Sequence, residues 1–470
     1  MYLRLGVFIA ALFCEVNRLD PEAKYFLARF VQCFGTADPA GLGVKALAKQ
    51  FGLSDRQVTK SLNALVECGV MTFLDAVEGR GRPKRCYRLQ EDFHKKLNKA
   101  AELPPTHHGV AVGNLLRHEN RKAAQTSEKT EKRKLDVAAL ADMRGKRQPG
   151  QLSVVNRLLL SVLLCRADRT GVVRDLGSSV LCKVTGLSKE GLKHRVQRLI
   201  DQGLIRAYVP GATSSVLFAK MKSVYFLNLN HPELSDEGSA TSVLVCVTGD
   251  PFPDRVPDVL HAYRFYSETV LPKGSPNVYG RSPCAPLLGA FEGQFPSFFR
   301  LLQTMLEKYT AGFLSKHWSD LGLQPFKRWI DAKEWRELIG KDFRPQKPLL
   351  PPDADHLKKI DDQYVMLGDA ICDWAFELAV WIKDLLCQAS DASDASFGTM
   401  DFAIIPQPME LGYYRFALLA LPRDSDHPRG CLVIEPYAGP QYFSRESDIP
   451  LEDRYRYSLL TRPGSNAKSA

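Results

Sequence analysis

The stretch KALAKQFGLSDRQVTKSLNALVECGVM, Lys45–Met71, decides how the front of this 470-residue chain is read. A short helix runs up to Gly52, where the missing Cβ lets the chain reverse in a left-handed conformation. Leu53 plugs the angle that follows. Ser54 can then cap a second helix by accepting a backbone N–H, and Gln57 stands where a capping box places its reciprocal partner. Val58, Leu62, Leu65 and Val66 recur at spacings of three and four, so they face inward. Arg56, Gln57, Thr59, Lys60 and Asn63 fall on the opposite, polar face.

The same unit returns 134 residues later as SVLCKVTGLSKEGLKHRVQRLIDQGLI, Ser179–Ile205. Leu47 aligns with Leu181, Lys49 with Lys183, and Gly52, Leu53 and Ser54 with Gly186, Leu187 and Ser188. Leu65 aligns with Leu199, and Gly69 with Gly203. Here the inward set is Leu192, Val196, Leu199 and Ile200, and the polar face carries Lys189, Lys193, His194 and Gln197. Each copy predicts a helix-turn-helix whose second helix is offered outward.

After Gly69 comes VMTFLDA, rich in strand formers, then a turn and GRGRPKRCYRL, Gly79–Leu89. That pattern predicts a β-hairpin with Tyr87 and Leu89 inward and a cationic tip, since Arg80, Arg82, Lys84, Arg85 and Arg88 fall within nine residues. Copy two continues as LIRAYV, PGATSS and VLFAKMKSVYFLNL, a longer hairpin carrying Lys220 and Lys222.

A helix-turn-helix followed by a hairpin resembles the winged-helix transcriptional regulators of the broad bacterial kind, over roughly Asp20–Gln90 and Gln151–Asn230. The resemblance implies that the second helix lies in a DNA major groove while the wing reaches a neighbouring groove or phosphates. Carried over, Arg56, Gln57, Thr59, Lys60 and Asn63 become base-edge or phosphate contacts, with Lys189, Lys193, His194 and Gln197 their counterparts in copy two. The tip PGATSS departs from the pattern by lacking cations, which weakens the expectation of DNA contact there. RGRP, Arg80–Pro83, resembles the core of an AT-hook. It implies that Arg80 and Arg82 enter a narrow A·T-rich minor groove, where negative potential is concentrated, while Lys84 and Arg85 hold phosphates. The alternative for this tip is a solvated basic turn.

Charge divides the chain. Residues 1–230 hold 38 Lys+Arg against 20 Asp+Glu, a net +18, whereas residues 231–470 hold 25 against 33, a net −8. This asymmetry sets a polyanion-binding half before a half with another task, with nucleic acid the first candidate and a membrane surface its competitor. Between the copies, RHENRKAAQTSEKTEKRK and its surroundings show little apolar periodicity, so residues 91–150 are expected to form a basic flexible or partly helical tether. Eleven cysteines, odd in number and without a C-x-x-C pair, argue for a reducing compartment. His107, His108 and His118 lack a cysteine or carboxylate at ligand spacing. The opening MYLRLGVFIAALFCEV has a nine-residue apolar run, well short of the roughly 20 that span a bilayer. It reads as a packed helix or strand, with a short amphipathic membrane anchor as the alternative.

In the back half, TSVLVCVTG, FAIIPQ, YYRFALLALP and GCLVIEP read as strands, while 291–322 and 353–388 read as long helices. There is no Walker loop, G-x-S-x-G, H-E-x-x-H or G-x-G-x-x-G. Asp361, Asp362, Asp369, Asp373 and Asp384 read as a solvated helix face, and Trp374 and Trp381 as core or dimer packing.

The expected fold class is mainly α with small β-hairpins, as two winged-helix domains, followed by an α+β C-terminal domain. Domain one spans 1–90 with an N-terminal extension, the linker 91–150, domain two 151–230, and the α+β domain 242–463. The expected function is a cytoplasmic, sequence-specific double-stranded DNA-binding transcriptional regulator, with no cofactor, metal, membrane partner or catalysis. The C-terminal domain would serve a homodimer, a protein partner or a ligand. A plasmid or mobile-element replication or partition initiator is the first alternative. A nucleic-acid-processing enzyme, or a DNA-binding subunit of a mobile-element or defence complex, is the second.

Overall fold

A computed structural model describes residues 2–16, 18–35, 42–76, 84–100, 106–116, 152–212, 221–235, 240–248, 259, 296–323, 332–343, 354–389, 397–407, 414–424, 429–435 and 438–464. The architecture is broadly α+β, and the chain folds as two compact units. One comprises Met1–Arg166 with Ser178–Gln202, and the other Ala167–Gly177 with Gly203–Ala470.

The first unit is mostly helical. Its helices are α1 (Tyr2–Phe13), α2 (Pro21–Phe34), α3 (Val44–Phe51), α4 (Asp55–Glu67), α5 (Glu91–Ala100), α6 (Gly109–Leu116), α7 (Val154–Cys165), α8 (Ser178–Thr185) and α9 (Lys189–Asp201). Strands β1 (Met71–Ala76) and β2 (Lys84–Leu89) pair antiparallel after α4, with Phe73 opposite Tyr87 and Asp75 opposite Arg85.

The repeat holds residue for residue. Helices α3 and α8 have the same length and begin 134 residues apart, as do α4 and α9, each 13 residues long. Gly52 at φ 67° and Gly186 at φ 73° make the left-handed turns between them, where a side chain would be strained. Ser54 Oγ accepts from Gln57 N at 3.2 Å, and Ser188 Oγ accepts from Gly191 N at 3.0 Å. In copy one the capping box is complete, because Gln57 Oε1 accepts from Ser54 N at 2.9 Å. Val58, Leu62 and Leu65 are buried on α4, and Leu192, Val196, Leu199 and Ile200 on α9.

Part of the expected tether is folded. Leu97 on α5 and Val112, Leu115 and Leu116 on α6 are buried, so these two helices supply core to the first unit. Carbonyls of the C-terminal turn of α6 find partners there. Gln32 Nε2 donates to Gly113 O at 3.1 Å, and Tyr25 OH donates to Leu116 O at 3.2 Å. A few apolar residues spaced at three and four suffice to dock a short helix once a surface is offered, and the polar composition around them hid this. Residues 117–151 of the expected tether lie outside the described residues. The N-terminal segment forms α1, with Phe8, Ile9, Ala10, Ala11 and Leu12 buried against α2, α5 and α7.

The second unit combines two sheets with long helices. Strands β3 (Val172–Val173), β4 (Ile205–Val209) and β5 (Val224–Leu227) form a sheet in the order β3-β5-β4. They are followed by β6 (Ser242–Thr248), α10 (Pro296–His317), α11 (Ala332–Asp342), α12 (Ala354–Ala389), β7 (Met400–Ile405), β8 (Tyr414–Pro422), β9 (Cys431–Glu435), β10 (Gly439–Phe443) and α13 (Leu451–Arg456). Strands β6–β10 make a mixed sheet ordered β10-β9-β6-β8-β7, in which the β6–β9 pairing is parallel and the others antiparallel. Its central strand β6 is apolar almost throughout, as a strand covered on both faces must be.

Helices α10 and α12 pack on each other and α10 lies on β7. Trp374 and Trp381 are buried in this core, with the Trp381 ring edge-on to Phe416 at 5.1 Å. Of the expected carboxylate face, Asp369 and Asp373 both pair with Arg336, at 3.0 and 3.7 Å, and Asp384 is exposed. The side chains of Asp361 and Asp362 lie outside the described residues.

The hairpin expected to project from 151–230 belongs to this second unit. Val209, Val224 and Phe226 share one core with β6 and α10. Strands β4 and β5 are buried with no polar alternation, so they have no face to give to water. Of residues 151–230, the stretches up to Arg166 and Ser178–Gln202 thus belong to the first unit, and Ala167–Gly177 and the chain from Gly203 belong to the second.

Candidate nucleic-acid interface

The polar faces of α4 and α9 are the surfaces singled out by the sequence. On α4, Arg56, Thr59, Lys60 and Asn63 are exposed and Gln57 is half-buried. On α9, Lys189, Lys193 and His194 are exposed and Gln197 is half-buried. The two faces are not equally available.

Much of the α4 face is engaged. Lys60 Nζ lies 2.5 Å from Asp20 Oδ2, and Gln57 Nε2 donates to Glu22 Oε1 at 2.7 Å. Thr59 Oγ1 donates to Asp55 O, one turn back on its own helix. Arg56 and Asn63 have no hydrogen-bond or ion-pair partner among the described residues. On α9, Gln197 Nε2 donates to Asp201 Oδ1 at 2.9 Å, while Lys189, Lys193 and His194 have no such partner among the described residues.

Asp20 does two jobs. Its Oδ1 caps α2 by accepting from Ala23 N at 2.8 Å, and its Oδ2 holds Lys60. Burial pushes its carboxyl up, but the Lys60 hydrogen bond and the backbone N–H of Ala23 outweigh burial and leave its pKa below the usual aspartate range. The hydrogen bond to Asp20 pushes the Lys60 ammonium up in turn.

The start of α2 also meets copy two. A Cβ on Gly186 would stand 2.4 Å from the carbonyl oxygen of Leu19, so the α8–α9 turn rests directly on the backbone that leads into Asp20. The buried Lys24 donates from Nζ to Cys14 O at 2.8 Å and to Lys183 O, on α8, at 3.4 Å. Leu19–Lys24 is thus the joint at which both polar-faced helices are braced.

On the first hairpin, Arg85 lies over the Phe73 ring at 4.6 Å with its Nε 3.6 Å from Asp75, its cross-strand neighbour. Arg88 is exposed on the other face of the hairpin, beside Cys86 and Leu74. Arg80 and Arg82 lie outside the described residues, as does the side chain of Lys84.

Compared with known proteins, the chain matches no family model and no curated relative.

Among the described residues no group of three or more His, Cys, Asp or Glu is placed to hold a metal ion. No disulfide joins the ten described cysteines, and burial pushes the thiols of Cys165, Cys246 and Cys431 up to about 12, away from nucleophilic use. No described helix is long and apolar enough to cross a membrane.

Sequence reading missed Asp20 and Glu22. Asp20-Pro21-Glu22 is a helix-start signature, with a capping aspartate, proline in the first turn and an acidic residue behind it. It signals α2. That both carboxylates would reach α4, 35 and 40 residues on, is a tertiary fact with no local trace.

Proposed function

We propose that the chain is a sequence-specific double-stranded DNA-binding protein that regulates transcription through two helix-turn-helix units, the first of them winged. The observation that carries this reading is the duplicated helix pair. A 13-residue helix, capped by serine after a left-handed glycine, occurs twice at an offset of 134 residues, each time with a polar, cation-bearing face.

In copy one, Arg56 and Asn63 offer free donors for base edges, and Arg88 with the basic tip Arg80–Arg85 offers phosphate and groove contacts from the wing. In copy two, Lys189, Lys193 and His194 offer contacts from the helix alone, because the following hairpin is committed to the core of the second unit. The +18 of residues 1–230 supplies the long-range attraction.

The test is duplex binding by the full chain at several salt concentrations. With about six phosphate contacts, affinity drops on the order of 10³-fold between 50 and 200 mM salt. A flat response overturns the reading. Asn63→Ala and Arg56→Ala should each cost about 1–3 kcal/mol on a preferred site and relax sequence preference at one position. Mapping of bound DNA in cells separates scattered operators, expected of a regulator, from clustered repeats at an origin, expected of a replication initiator.

A further inference from the structure

The second unit contains a partly open cavity of about 300 Å³ between the strand-β5 end of the small sheet and helices α10 and α11. Val224, Leu301 and Met305 form an apolar floor, all three buried. Among the described residues, four cationic side chains stand around it, Arg174, Lys222, Lys308 and Lys341, against a single lining carboxylate, Asp342.

The compensation of these cations is uneven. Asp342 is already taken, because its Oδ2 lies 2.8 Å from Lys308 Nζ and accepts from Tyr309 OH at 2.6 Å. Arg174 Nη1 is held by Asp168 at 2.6 Å, yet its Nε is buried with no acceptor among the described residues. Lys222 Nζ rests on the neutral backbone carbonyl of Asp175 at 2.8 Å. Lys341 is exposed and has no ion-pair partner among the described residues. Two full positive charges thus face an apolar recess with no counter-charge of their own. Such a recess selects a molecule that is itself divided into an apolar body and an anionic head.

We infer that this cleft is a binding site for a small organic anion, with a chain or ring on Val224, Leu301 and Met305 and a carboxylate or phosphate head at Lys222 and Lys341. The site lies wholly within the second unit, so it stands or falls independently of DNA binding. An inorganic anion would gain only the cations and lose the floor. A neutral apolar molecule would gain the floor and leave the cations unanswered. Both parts must be used for tight binding.

The experiment uses the full-length chain and the fluorescent probe 8-anilinonaphthalene-1-sulfonate, an aromatic body with one anionic group. Expected is saturable binding, displaced by octanoate but at least about tenfold less effectively by octanol or by inorganic phosphate. Lys341→Glu, an exposed change, should weaken octanoate displacement at least about tenfold with the melting temperature unchanged, because it replaces an attractive head-group contact with a repulsive one. Met305→Trp should fill the recess and abolish saturable binding. Equal displacement by octanol and octanoate, absence of probe binding, or a Lys341→Glu variant that binds like the unaltered chain would each overturn the assignment.

Discussion

Asp20 binds Lys60 at 2.5 Å with the same carboxylate that caps α2, so the first presented helix and the start of its supporting helix share one negative charge. The Lys60 side chain is 68% exposed, and water and salt screen the pair strongly. Its significance is therefore not stability. It is that a cation on the outward face is partly spoken for until a stronger anion competes for it, and under the proposed function a DNA phosphate would be that anion.

Asp20→Asn separates the two roles. Asparagine caps a helix about as well as aspartate, so Ala23 N keeps its acceptor and α2 its start. Lys60 loses its counter-charge. Expected is a duplex affinity about two- to fivefold higher at low salt, with the slope of log K against log salt steeper by about one if a phosphate contact is gained. Fluorescence anisotropy across a salt series reads both. An unchanged affinity and slope would mean that Lys60 does not meet the phosphates.

In the second unit, Arg206 and Glu446 form a buried two-pronged ion pair, with Nη1 to Oε1 and Nη2 to Oε2 both at 2.5 Å. Asn230 Nδ2 donates to the same carboxylate at 2.9 Å, and Thr461 Oγ1 donates to Arg206 O at 2.7 Å. The C-terminal segment is thereby fastened to β4. Glu446→Ala strands a guanidinium that is fully enclosed, and a loss of about 3–5 kcal/mol is expected in the unfolding of this unit. Replacing both partners, as Arg206→Met with Glu446→Leu, should recover most of that loss, since an apolar pair needs no compensation. Urea unfolding of the three variants checks the ordering.

The same pair fixes a pH dependence. Burial pushes the Glu446 carboxyl up, while Arg206 and Asn230 outweigh burial and leave its pKa below the ordinary glutamate range. A carboxylate with a depressed folded-state pKa contributes stability that is complete above its unfolded value and is lost as pH falls through the folded one. Stability of the second unit should therefore decline as the medium is acidified below the ordinary glutamate range, and Glu446→Gln should flatten that decline while lowering the plateau. A decline as steep in Glu446→Gln as in the unaltered chain would place the titrating group elsewhere.

What the sequence discloses here follows the range of the interactions. The helix pairs were legible because Gly52, Ser54 and Gln57, and likewise Gly186 and Ser188, act on backbone within three residues of themselves. Strands β6 to β9 were legible because their apolar runs are nearly continuous, and α10 and α12 because their apolar residues recur over a long stretch, whereas α11 and the polar strand β10 were not read. The folding of α5 and α6 was not, since Leu97 and Leu116 gain their partners from α1, α2 and α7, far away in sequence. Nor was the fate of the second hairpin. Val209 and Phe226 look like the inner face of a projecting ribbon until β6 and α10 are present to bury them. On α4 the exposed residues were identified correctly as a face, but the ties from Asp20 and Glu22 divide it into engaged and free members.

Gly186 and Gly69 offer the sharpest comparison of two left-handed glycines. Their φ values are +73° and +68°, so alanine at either pays the left-handed penalty of about 1–2 kcal/mol. Their surroundings differ. A Cβ on Gly69 meets only the Gln90 side chain at 3.7 Å, an ordinary contact. A Cβ on Gly186 meets the Leu19 carbonyl oxygen at 2.4 Å, with backbone atoms of Asp20 and Pro21 at 3.2 and 3.3 Å, and backbone cannot rotate aside. Gly69→Ala should stay within about 2 kcal/mol of the unaltered chain in urea unfolding, while Gly186→Ala should lose about 3 kcal/mol or more. Because the displaced backbone leads into Asp20, Gly186→Ala should also alter duplex binding through α4, although the substitution lies in copy two. Equal costs at the two glycines would mean that the α8–α9 turn does not bear on the start of α2.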